Sequence, residues 1–223
     1  MKGPLSVWCV FLVWCVFAAP AHPATAADVP HLYFSKSFPG SSPAFVAIQV
    51  DKAGAGDYRE AEDDDNPVRF QLSATDTAEM FDLAAKLGYF DHPLESSLKV
   101  AFMGTKTFRY VDGPKKNEVK FNYSEDPAAQ ALADWFERIS ESEQLLTNLE
   151  VSAKYDHLGV MNAVLLLETA YDHKRLVDAA QFLPLLDRIT KNESYIHQAR
   201  VRAANLADAL RCGPPPCPAS PPK

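Results

Sequence analysis

Residues 155–189, YDHLGVMNAVLLLETAYDHKRLVDAAQFLPLLDRI, form the most apolar stretch of the chain outside its N-terminus. Within it Val160, Met161, Val164, Leu165, Leu166 and Leu167 leave little polar surface on their turns. A helix that is apolar nearly all round needs cover on most sides, so this one is expected inside a bundle. Pro184 divides the apolar run at 176–183 from the run at 185–189. Beyond it, residues 195–210 carry Ile196, Ala199, Ala203, Leu206 and Leu210 at alternating threes and fours, which predicts an amphipathic last helix.

Upstream, the helical period begins at Asp126, a capping residue, with Pro127 at the first helical position, where its missing N–H costs nothing. Leu132, Trp135, Phe136 and Ile139 follow as one apolar stripe, and Leu145, Leu146 and Leu149 continue or restart it. Before Asp126 the pattern is that of strands. Residues 31–38 alternate, Pro39-Gly40-Ser41-Ser42-Pro43 interrupts them, and residues 44–50 are dense in Val, Ile and Phe. Residues 52–57 contain Gly54 and Gly56 and predict a hairpin turn, with strands at 58–60 and 68–72. Ser73-Ala74-Thr75-Asp76 opens a helix carrying Met80, Phe81, Ala84 and Leu87, which Gly88 ends. Residues 100–102 and 105–111 are strand candidates, and Asp112-Gly113-Pro114 turns the chain into a returning strand at 118–123.

The fold class that follows is α+β: an antiparallel sheet with one packed helix, then an all-α helical bundle. The expected segments are 1–26, a signal peptide; 27–125, the sheet domain; 126–211, the helical bundle; and 212–223, a Pro-rich tail. A bundle of this size with so apolar a middle helix is expected to share a core with the sheet.

The N-terminus points to export. Lys2 precedes an apolar run over 5–19, and Ala24-Thr25-Ala26 supplies the small-x-small pattern of a signal-peptidase site. The run is shorter than the roughly 20 residues of a spanning helix, and no later stretch is long enough, so no integral membrane segment is expected after cleavage. A secreted or periplasmic location follows. Loss of residues 1–26 removes Lys2 and no acid, leaving 21 basic and 29 acidic side chains and a net charge of −8. Such a surface repels phosphate backbones, so nucleic acid is not an expected partner. The acid concentrates in Glu60, Glu62, Asp63, Asp64 and Asp65, which lack the ligand spacing of a calcium loop and predict a solvated loop.

In an exported chain the pair Cys212 and Cys217 predicts a local disulfide at the end of the last helix. Four intervening residues, three of them proline, do not make a thioredoxin-type motif. Asn122-Tyr123-Ser124 and Asn192-Glu193-Ser194 are glycosylation sequons.

Two resemblances add to this reading. Leu183-Pro184-Leu185-Leu186-Asp187-Arg188-Ile189, Asn192, then Arg200 and Arg202 with Ala203, Ala204 and Leu206, resembles one unit of a HEAT-type helical repeat, over about 40 residues from Tyr171 to Arg211. Tyr155-Asp156-His157 also recurs as Tyr171-Asp172-His173. Solenoids need about three repeats, and this chain has room for fewer, so a compact bundle is expected. That resemblance implies protein binding. The order of strand, Pro-Gly loop, hairpin, helix and hairpin is similar to uncharacterised exported bacterial α+β domains, a likeness that implies no activity.

Candidate chemistry is sparse. Asp156, His157, Asp172 and His173 offer the ligand types zinc prefers, if two helix ends meet. Neighbouring helical residues point in different directions, so each dipeptide supplies one ligand, and the competing expectation is Asp as a cap with His in a turn. Ser96-Ser97-Leu98-Lys99 matches an SxxK string without its SDN and KTG partners. No cofactor motif, GxSxG or mature cysteine nucleophile is present. Tyr33, Phe34 and Phe38 around the Pro-Gly loop, and Phe108 and Tyr110 on a strand, are either two faces of a sheet or the anchors of a protein interface. The expected function is a protein- or peptide-binding module. The alternative is a metal-dependent hydrolase using His157, His173 and nearby carboxylates.

Overall fold

A computed structural model describes residues 29–212. The chain runs through strands β1 (His31–Ser37), β2 (Phe45–Asp51), β3 (Ala55–Arg59) and β4 (Val68–Gln71), helix α1 (Ala74–Lys86), and strands β5 (Thr105–Asp112) and β6 (Lys115–Phe121). Helices α2 (Pro127–Tyr155), α3 (Val160–Asp172), α4 (Leu183–Lys191) and α5 (His197–Cys212) follow, with a 3-10 turn at Ala179–Phe182 before α4. The expected signal peptide and Cys217 lie outside the described residues; Cys212 is the last residue of α5.

The six strands form one sheet in the order β4-β3-β2-β1-β5-β6, every neighbouring pair antiparallel. The first four strands meander away from β1, and α1 with the loop after it carries the chain back so that β5 pairs on β1's other side. The alternation of apolar residues fixes the inner face. Leu32 lies opposite Val50 and Tyr110, Phe34 opposite Ile48 and Phe108, and these side chains are all buried. The hairpin β2–β3 needs its glycine: Gly54 has φ +86, and an added Cβ would meet the Thr77 hydroxyl at 2.6 Å, so α1 packs directly on the turn.

Local signals place the helix ends. The Ser73 hydroxyl accepts the Asp76 N–H at the start of α1, and Gly88, at φ +60, lies just beyond its end. Asp126 accepts the Ala128 and Ala129 N–H groups, with Pro127 beginning α2. The short apolar run 100–102 is not a strand but loop. Its backbone is held instead by Asn122, whose amide oxygen accepts the Met103 N–H and whose nitrogen donates to Ala101.

Helix α2 is 29 residues long and continuous, about 44 Å at 1.5 Å per residue. Its first half, through Leu132, Trp135, Phe136 and Ile139, joins α1 and the inner sheet face in one core. Its second half, with Leu149 and Ala153, joins α3, α4 and α5 in another. The expected shared core is present where the first half of α2 packs with the sheet, and a second core of helices alone forms on its other half. The central position expected for the apolar helix at 160–167 is corrected. Helix α3 packs on α2 and α5 through Ala163, Val164 and Leu167, while Leu165 and Leu166 stay 42% and 43% exposed. Two neighbours cover one side of a helix, and no element in the described residues caps the other.

The segment between α3 and α4 latches the two cores together. Among the described residues Val177 is the one from beyond α2 that enters the sheet core, and its N–H donates to the buried Ser142 hydroxyl at 2.9 Å. Arg175 reaches Asp134 and Glu141 on α2 at 2.6 and 2.8 Å, and Asp178 accepts the Gln71 N–H of β4.

Candidate functional site

The Asp-His dipeptides do not converge. Asp156 accepts the Gly159 N–H at 2.9 Å just before α3, and the His157 ring meets Tyr195 edge-on at 4.9 Å. Asp172 is the last residue of α3 and His173 its C-terminal cap. The two pairs thus bracket a helix of 13 residues, about 20 Å long. They cannot share an ion, which corrects the metal-site expectation, and among the described residues no group of three or more His, Cys, Asp or Glu is placed to hold one. Asp91 and His92 likewise form an exposed turn pair at 2.8 Å. Ser96 of the SxxK string donates its hydroxyl to Glu125 and lies in a loop.

The five aromatic candidates divide by strand parity. Phe34 and Phe108 point inward and are buried, Phe34 stacking on Phe136 at 4.8 Å with rings 6° apart. Tyr110 is buried too; its hydroxyl donates to Asp112, and burial pushes its pKa up to about 12. These three belong to the core and are not available to a partner. Phe38, past the end of β1, meets Phe102 edge-on at 6.0 Å. Tyr33 alone of the five stands on the outer sheet face.

That outer face carries the most developed site. Helices α1 and α2 share their core with the inward-pointing strand residues, and no helix in the described residues shares a core with the outward-pointing ones. The register lays one row across all six strands: Arg69, Asp57, Gln49, Tyr33, Arg109 and Glu118. The adjacent row reads Arg59, Ala47, Ser35, Thr107 and Lys120. Small residues in the middle of this second row, between larger ones at its ends and along the first, leave a trough of about 290 Å³ lined by Tyr33, Ser35, Ala47, Gln49, Thr107 and four charged residues, Arg59, Arg109, Asp57 and Glu118. The Arg109 guanidinium sits 4.1 Å above the Tyr33 ring, a cation–π contact that holds it over the trough.

A second cleft, about 340 Å³, lies between the β1–β2 loop and α2. Its charges are already satisfied: Lys36 pairs with Glu137 at 3.2 Å, and Arg175 with Asp134 and Glu141. Lined by ion pairs that would have to break, it is the less receptive of the two.

Sequence reasoning missed one further group. Glu143 on α2 is 1% exposed; one carboxylate oxygen accepts from Gln181 at 2.9 Å and the other has no partner. Burial, reinforced by Asp178 and Glu150 nearby, pushes its pKa up to about 7. An acid four residues after Ile139, in line with Phe136 and Leu132, was the signal for it. Arg59, Arg109 and Gln49 were missed for a different reason: they meet only when the strand order is known. No protein-family model and no curated protein matches this chain.

Proposed function

We propose that this protein is an interaction module that binds another protein or peptide on the outer face of its sheet, and that it does so outside the cytoplasm as a secreted or periplasmic chain. The observation that carries the reading is the trough at Tyr33 and Arg109 on a sheet face that no helix among the described residues covers. Protein surfaces that bind concentrate Tyr and Arg, which bring large contact area and multiple donors. The apolar N-terminal run supports export, and no helix among the described residues is long and apolar enough to cross a membrane. The hydrolase alternative loses its support with the separation of His157 from His173.

Selection from a displayed peptide library on the immobilised protein tests the proposal. Recovered peptides should lose binding when Ala47→Trp fills the trough, and keep it when the distant Leu166→Ser is made. Peptides indifferent to Ala47→Trp, or a library that yields none, would overturn it.

A further inference from the structure

We infer that the outer sheet face is built for a carboxylate-bearing partner, an extended acidic segment of another protein laid across the trough; the inference rests on the sheet-face reading above. Charge is the reason. The whole chain carries a net charge of −7. On this face, however, the outward positions of the strands hold five cations, Arg59, Arg69, Arg109, Lys116 and Lys120, against three carboxylates, Asp51, Asp57 and Glu118. The sign is therefore inverted locally.

The pairing sharpens the point. Arg69 lies 4.0 Å from Asp57, and Lys120 lies 3.7 Å from Glu118, so both acids of the central row are matched by cations at the rim. Asp51 is occupied by the Ala53 and Ala55 N–H groups of its turn. Asp57 and Glu118 line the trough together with Arg59 and Arg109, but the two acids are paired with Arg69 and Lys120, whereas the two arginines make no ion pair among the described residues. The second cleft, where every cation has its acid, provides the contrast.

Guanidinium forks match carboxylates in shape and offer two parallel N–H donors each. Arg109 is held in place by the Tyr33 ring, and the Ser35 and Thr107 hydroxyls with the Gln49 amide supply neutral partners between the two arginines. From β3 to β5 the sheet spans three strand spacings, about 14 Å. An extended chain rises about 3.4 Å per residue and points alternate side chains one way. Acids at every second position over some five residues would present their carboxylates to both arginines.

A fluorescein-labelled peptide Gly-Glu-Ser-Glu-Ser-Glu-Gly, followed by anisotropy against the purified protein, is the test. The acidic peptide should bind, weaken as salt rises, and lose about tenfold or more in the Arg59→Gln/Arg109→Gln double variant; Lys86→Gln, on α1, should leave it unchanged. Because both arginines are on the surface, the double variant's urea midpoint checks that it is folded. Equal binding of the Gln-for-Glu peptide, still abolished by Ala47→Trp, would overturn the acidic partner while leaving the sheet-face reading intact. Free glutarate binding as tightly as the peptide would overturn the extended-segment occupant. Failure of every peptide, acidic, amide or lysine-substituted, would count against both.

Discussion

The two halves of α2 do different work. The first half lies against an aromatic core, where Phe34, Phe108, Phe121 and Phe136 interlock around a sheet. The second half lies against an aliphatic core of Leu149, Val164, Leu167, Leu186 and Leu206 from helices alone. Between them sit Ser142 and Glu143, the only buried polar pair in mid-helix. One continuous helix joins two cores, and the polar residues fall where the cores part company. At that point the segment between α3 and α4 meets α2, where the Ser142 hydroxyl accepts the Val177 N–H and one Glu143 oxygen accepts from Gln181.

Four measurements would break or sharpen that contrast. The largest effect is expected for Phe136→Ala, which opens a cavity in the aromatic core and should cost about 3–5 kcal/mol in urea unfolding. If the two cores are as separate as the packing implies, hydrogen exchange in α5 should change much less than in β1; equal loss in both would mean a single cooperative core. Ser142→Pro comes next. It breaks α2 at the junction and removes the Val177 contact, for about 3 kcal/mol, and should split one unfolding transition into two.

Glu143→Gln tests the junction through pH. The folded carboxyl has a pKa of about 7 against 4.5 for the ordinary group. Between those values the folded chain holds a proton that the unfolded chain has lost. Stability therefore falls as pH rises through that window, by up to about 3 kcal/mol in total, and is flat on either side. The amide variant should lack this slope and exceed the natural protein in stability above pH 7. A variant with the same slope would show that another group sets it. The smallest effect belongs to Leu166→Ser on the open side of α3, within about 0.5 kcal/mol; a loss of 2 kcal/mol or more would show that this side is covered after all.

Much of the fold was legible because it is written in short-range pattern. The alternation in residues 31–37 marked a strand without saying which of Tyr33 and Phe34 faces inward, Ser73 and Asp126 marked helix starts, and Pro184 opened α4 as a residue of its first turn. The apolar run 100–102 misled, because a strand exists only if another strand pairs with it, and here Asn122 made those bonds. The run at 160–167 misled in a related way: hydrophobicity measures a helix's wish for cover, not how many neighbours arrive. The candidate site was legible only in part. Tyr33 could be named from its strand, but not the arginines beside it, which come from strands paired across long stretches of sequence.

The sequence by itself determined an α+β chain with its strands first, the starts of α1 and α2, and an acidic net charge, since these depend on neighbours within a turn or two and on composition. Tertiary structure alone decided the strand order, the division into two cores along α2, the separation of the two Asp-His pairs and the positive outer face. Each of these depends on which distant segments lie side by side, and the local pattern is satisfied by many such arrangements. Packing selects the one in which every buried polar group but a few finds its partner.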